Sequence, residues 1–274
     1  MRIPIKVNEV NGVAPGNVAV VRVPVGKRFH GIRIIASGLV STGPDVAATQ
    51  ASQVVTNVRV LVNGTEQRNL PTDIYQKIAR LNKVVVGDLT IPIFFSETWR
   101  ATATQEEMTS WDTYYSTTFT LEVTIASGII NPQIVVYSES DDIRNVDSAG
   151  KPFFLIVKQL KRSYISGGAG IQDINSVIPT GFPINRIYIQ NSAGAVDNLQ
   201  VFADDVLVKE ATKSANDEML SEYNIDGSQF TYAYVTDYTQ QLNDPLRFNV
   251  INLRATFTAA SNSQLYVEQL SNSF

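Results

Sequence analysis

The stretch Asn57-Val58-Arg59-Val60-Leu61-Val62-Asn63-Gly64 alternates polar and apolar side chains and then meets an Asn-Gly pair. Alternation at period two is the pattern of a half-buried strand. Asn-Gly suits a type I′ turn, in which both central residues take positive φ, so the stretch predicts a β-hairpin. Asn198-Leu199-Gln200-Val201-Phe202-Ala203-Asp204-Asp205 has the same layout, with Asp204-Asp205 at the turn. The chain thus carries the same local instruction twice.

The flanks of the two stretches match in order as well as in kind. Before the first lie Gly16, the β-branched run Val18–Val23, then Pro24 and Gly26; before the second lie Gly170, a strand, Pro179 and Gly181. Gly31-Ile32-Arg33-Ile34-Ile35-Ala36-Ser37-Gly38 has its counterpart in Asn185-Arg186-Ile187-Tyr188-Ile189-Gln190-Asn191. After each hairpin comes one helix signal. Thr72–Asn82 places Ile74, Ile78 and Leu81 at i, i+4, i+7, with Thr72 or Asp73 as cap; Lys213–Tyr223 is weaker, with Ser214 as its expected N-cap. Further strands are expected at Phe29–Ile35 (ending at Ser37-Gly38), Thr90–Phe95, Thr117–Ala126, Gln133–Ser138, Phe230–Thr236, Arg247–Phe257 and Gln264–Glu268. The extra length of the first half falls in Ser41–Gln53, which reads as a loop, and Gly167–Gly170 reads as a bend.

Such recurrence in register predicts a tandem duplication. The expected fold is all-β, two eight-stranded jelly rolls in tandem, each with a short helix. The boundaries read as an N-terminal arm over 1–16, a first jelly roll over 17–139, a polar linker over 140–152 and a second jelly roll over 153–274.

Composition agrees and excludes much. Val, Ile and Thr number 31, 24 and 22 among 274 residues, and side chains branched at Cβ favour strands. There is no Cys, which removes disulfide frameworks, thiolate metal sites and thiol nucleophiles. One His cannot build a His-rich metal cluster, and a serine hydrolase would rest wholly on His30. No apolar run reaches the length of a membrane-spanning helix, and Met1–Lys6 lacks a signal-peptide core, so a soluble protein not secreted by that route is expected. The net charge of −4 argues against direct contact with nucleic acid.

This order of features resembles the double jelly-roll major capsid proteins of the tectivirus–adenovirus lineage, and most of all that of corticoviruses, membrane-containing marine bacteriophages. The residues that carry the likeness are Asn17–Gly26, the Asn57–Gly64 hairpin, the helix signal Asp73–Lys83, Phe153-Phe154, Lys158-Gln159-Leu160 and Pro183–Ile189. The segment Glu97–Tyr115 has no counterpart in it. The resemblance implies a homotrimer whose six jelly rolls form a pseudo-hexameric tile of an icosahedral bacteriophage shell. It also implies an inward-facing N-terminal arm, contacts with neighbouring capsomers and vertex or penton proteins, an internal membrane beneath, and residence in the virion after assembly in the host cytoplasm. The 18% of charged residues, against an average near 25%, fits lateral faces that pack at high density.

No constellation points to catalysis, so no enzyme is expected, and no catalytic, cofactor or metal residue is assigned. His30, in Lys27-Arg28-Phe29-His30-Gly31, reads as structural or as surface. Glu106-Glu107, Asp141-Asp142 and Asp204-Asp205 are sequence neighbours, which on strands face opposite ways, unlike the opposed carboxyls of a glycosidase. Asp141, Asp142 and Asp147 offer oxygen ligands for a structural Ca²⁺ but lack the spacing of a calcium loop. Lys158, Lys161 and Arg162, with Arg2 and Lys6, are the cations that would face an anionic membrane, or would simply guard a strand edge. Asn63-Gly64-Thr65 matches a glycosylation site, though the hairpin already explains it. The alternative function is a two-domain β-sandwich lectin or phage spike, with exposed Trp99 and Trp111 stacking on sugars.

Overall fold

The computed structural model describes residues 2–40, 46–151, 153–165, 168–174, 178, 181–239 and 248–274. Parts of the expected loop at 41–53 and bend at 167–170, together with Pro152, Pro179 and the expected strand start at Arg247, lie outside the described residues. The chain forms two compact units. The first holds Met1–Arg80, Val84–Val157 and Asn272–Phe274, and the second Leu81–Lys83 and Lys158–Ser271.

The strands of the first unit are β1 (Ile3–Val7), β2 (Val10–Asn11), β3 (Val18–Arg22), β4 (Arg28–Val40), β5 (Val46–Ala47), β6 (Val55–Val62), β7 (Thr65–Pro71), β8 (Thr90–Phe94), β9 (Trp111–Asp112), β10 (Phe119–Ile125) and β11 (Ile129–Asp141). Its helices are α1 (Ala51–Val54), α2 (Thr72–Leu81) and α3 (Ala103–Met108). One sheet runs β1-β11-β4-β8, with β5 and β9 on the two ends of the long β4; the other runs β7-β6-β10-β3-β2. Alternation sets the layers: Val58, Val60 and Val62 on β6 and Leu121, Val123 and Ile125 on β10 face inward and are buried. On the outward face Arg59 bridges Glu66 at 2.7 Å and Glu122 at 2.8 Å across three strands.

The second unit has β12 (Ile156–Ile165, whose first two residues belong to the first unit), β13 (Gly170–Ile174), β14 (Ile184–Asn191), β15 (Val196–Ala203), β16 (Val206–Thr212), β17 (Tyr232–Val235), β18 (Ile251–Phe257) and β19 (Asn262–Ser271), with helix α4 (Lys213–Glu222). Its sheets run β12-β19-β14-β17 and β13-β18-β15-β16. Ile187, Ile189, Leu199, Val201, Leu253 and Val267 form the centre of its core.

If β2, β5 and β9 are set aside as short additions, each unit has eight strands among the described residues. Counted along the chain, both pair first-eighth-third-sixth and second-seventh-fourth-fifth, and both place a helix between the fifth and sixth strands. That is the jelly-roll order, twice. The hairpins fall where the two alternating stretches place them, and their turns have positive φ at both central residues: Asn63 at 51° and Gly64 at 76°, Asp204 at 46° and Asp205 at 64°.

Several details depart from expectation. Ile3–Val7, assigned to an arm, is the first strand of its jelly roll and pairs with β11 from Ile3↔Ser140 to Val7↔Val136. Its apolar residues alternate, but Pro4 and its shortness conceal the pattern. Ser37-Gly38 does not end β4. Opposite Gly38 the partner β11 bulges at Asn131-Pro132, and a Cβ on Gly38 would come 2.7 Å from the Ile129 side chain. Within the expected loop, the Gln53 side chain accepts from the Gln50 N–H at 3.1 Å at the start of α1. Helix α4 is capped by Thr212, which accepts from the Ala215 N–H, rather than by Ser214. The polar stretch 140–152 is bound to the first unit: Asn145 donates to Asp112, Phe153 N–H donates to Asn145 C=O, and Asp147 accepts from Ala149 and Lys151.

Candidate functional site

The first unit holds a hydrogen-bonded chain of Ser96, His30 and Asp141. His30 is on β4, Ser96 follows β8, and Asp141 ends β11, so the sheet order brings all three to one end of the sandwich. Ser96 Oγ lies 2.6 Å from His30 Nδ1, and His30 Nε2 lies 2.9 Å from Asp141 Oδ2. The order is that of a hydrolytic triad. The surroundings are not. Ser96 is 0% exposed, and it does not line the small cavity beside His30. Arg28 forks onto Asp141, Nε to Oδ1 at 3.0 Å and Nη2 to Oδ2 at 2.7 Å, and the Ile143 N–H adds a third bond. An acyl group has no path to the serine.

The electrostatics suit a holding role. Burial alone would raise the Asp141 carboxyl, but hydrogen bonds from Arg28, His30 and the Ile143 N–H overcome it and hold it well below the usual carboxylate range. Burial pushes the His30 ring below its ordinary value, the Asp141 hydrogen bond opposes that, and the charges of Arg2 and Arg28 add to the lowering.

Around this chain the segment Glu97–Tyr115, which sequence comparison left unplaced, is clasped onto the sheet. Arg28 reaches Glu107 at 3.3 Å and Asn145 at 2.9 Å, and Arg2 reaches Glu106 at 2.5 Å. Arg100 pairs with Glu97, and the Glu97 N–H donates to Thr109. Trp111 is fully buried, stacked on Phe95 at 4.2 Å, with the Arg68 guanidinium 5.0 Å from its ring. Trp99 is half-buried with its ring edge-on to Phe94. The expectation that Trp99 and Trp111 stand exposed is therefore corrected: these aromatics anchor the segment from within.

Asp142 pairs with Lys27 at 2.9 Å, and Asp204-Asp205 makes its turn. With Asp141 and Asp147 also engaged, the aspartates weighed for Ca²⁺ do not converge, and among the described residues no acidic or histidine cluster could hold a metal. Asn63 Oδ1 accepts from the Thr117 N–H at 2.8 Å, tying the turn to the strand beside it. Lys158 lies over the Phe182 ring at 5.3 Å. Among the described residues no helix is long and apolar enough to cross a membrane.

Two of the surfaces with exposed apolar side chains are a cleft and a strand edge. In the first unit a cleft of about 440 Å³ opens between β1 and β3, where the two sheets part. Ile3 and Ile5 pair with the buried, core-facing Ser140 and Ser138, so they sit on the core face, yet they remain 46% and 43% exposed. In the second unit the edge strand β16 exposes Val206, Leu207 and Val208 in succession.

Solved structures of viral capsid proteins share this fold. The crystal structure of the major capsid protein P2 from bacteriophage PM2 superposes with a TM-score of 0.79 at 18% identity, covering 99% of this chain and 97% of that one. The STIV MCP gives 0.68 at 10%, covering 100% and 98%, and PBCV-1 VP54 gives 0.62 at 11%, covering 98% and 93%. At such identities these likenesses establish the fold. No curated protein sequence matches the chain. The family model for the viral coat protein P2 N-terminal domain matches residues 4–141, and that for the P2 C-terminal domain matches residues 156–273. The chain therefore belongs to the viral coat protein P2 family.

Proposed function

We propose that the chain is the major capsid protein of an icosahedral bacteriophage and self-assembles as trimers. The observation that carries this is the pairing order repeated without change in the two units. Three chains with two equivalent jelly rolls each present six similar wedges, so threefold symmetry yields a nearly hexagonal tile that packs a shell. Closed symmetric assembly of this kind is the usual outcome for a single chain type. The buried clasp around Arg28 and Asp141 supports the reading by fixing a long insertion rigidly to the sandwich. Vertex or penton proteins and an internal membrane are the further partners, with assembly in the host cytoplasm before residence in the virion. The lectin alternative loses its motivation with Trp111 buried and Trp99 half-buried. Denaturing gels of purified particles test the role: the 30.1 kDa chain should dominate the protein content, and a minor band would contradict a shell subunit.

A further inference from the structure

We propose that the β15–β16 hairpin of one copy seats in the β1–β3 cleft of the next. The inference rests on the self-assembly reading and names its contact. The cleft is a part of the core left open: Val7 and Phe29 form its buried floor, and Ser138 and Ser140 are too small to fill the space beneath Ile5. Apolar side chains on a core face contribute stability only when covered, at about 25 cal/mol per Å². The hairpin offers the matching chemistry. Val206, Leu207 and Val208 are 64%, 45% and 44% exposed on a sheet edge.

Strand edges are normally guarded by exposed lysines. Here the one lysine of β16, Lys209, is turned away: its amine bonds to Asn216 at 2.8 Å and to Tyr238, and lies over the rings of Tyr234 and Tyr238 at 5.1 and 4.7 Å. Burial there pushes the amine down to about 8, which weakens its value as a guarding charge. The first three residues of the edge are left apolar, with the exposed Glu210 further along it.

Charge selects the same partner. The hairpin tip carries Asp204 and Asp205, while Lys6 and Arg22 line the cleft with one carboxylate, Glu9, and Lys27 there is paired with Asp142. An acidic tip on an apolar strand entering a basic-rimmed apolar cleft is complementary in both respects. Because cleft and hairpin are different surfaces, the contact is head-to-tail and can close into a ring. Pro4 on β1 lacks the N–H that an unbroken strand ladder would need, so side chains in the cleft make the contact.

The absence of Cys makes a cross-linking test clean. Ile5→Cys and Val206→Cys are made singly and together in the full chain, oxidised, and run without reductant, with light scattering on each sample. Mixing the two single variants should give a disulfide-linked dimer, the double variant should give larger linked species, and neither single variant alone should link. Assembly by light scattering without these links would overturn the contact while leaving self-assembly intact. Self-linking of Val206→Cys alone would replace it with a symmetric edge pairing. A single-chain mass at every concentration would defeat the self-assembly reading itself, and this contact with it.

Discussion

Asp141 lies 113 residues from Arg28 and 111 from His30, and the roles of all three come from the sheet that gathers them. His30 lies 66 residues from Ser96 and 111 from Asp141, separations that leave no local trace, so the sequence shows only a lone histidine. Removing one member of a buried charge pair leaves the other uncompensated. Asp141→Asn should therefore cost about 3–5 kcal/mol in chemical denaturation, more than any surface carboxylate. The pH dependence has a definite sign. With its folded value below 6.5, the native state keeps His30 neutral while the unfolded chain takes up a proton, so stability should begin to fall as pH drops below 6.5. Asp141, held low in the fold, contributes stability that is present above about pH 4 and is lost as pH falls through its native value. Since the chain has one histidine, His30→Gln should flatten the dependence of the urea midpoint between pH 7 and 5. An unchanged slope would show that another group sets it.

At the scale of elements, the features legible in sequence are those fixed by neighbours. The two hairpins, their positive-φ turn pairs and the helices after them follow from alternation, Asn-Gly or Asp-Asp, and i, i+4 spacing. What escaped were β1, the continuation of β4 past Gly38, and the insertion Glu97–Tyr115, each defined by a long-range partner: β11, a bulge opposite, and the Arg28 clasp. Gly64 has open space where a Cβ would stand, so Gly64→Ala isolates backbone strain at φ 76° and should cost about 1–2 kcal/mol. Trp111→Ala, which empties the anchor beneath the insertion, should cost about 3–5 kcal/mol and expose Glu97–Tyr115 to proteolysis. A thermal melt of each variant checks both, and equal losses would mean that the insertion is not held by its aromatic anchor.

For the molecule as a whole, the duplication was readable from order alone, because a repeated topology repeats its turns and helix in register. The contact proposed between copies is not, since it depends on which apolar residues the folded units leave uncovered, among them Ile3, Ile5 and Val206–Val208. A chain with 18% charged residues and two jelly rolls is suited to packing against itself. The central claim is that three copies make one tile. Electron microscopy of the purified protein, with its mass in solution measured by light scattering, tests it most directly. The account predicts threefold particles with a hexagonal outline and three times the 30.1 kDa chain mass, while single-chain particles at every concentration would contradict it.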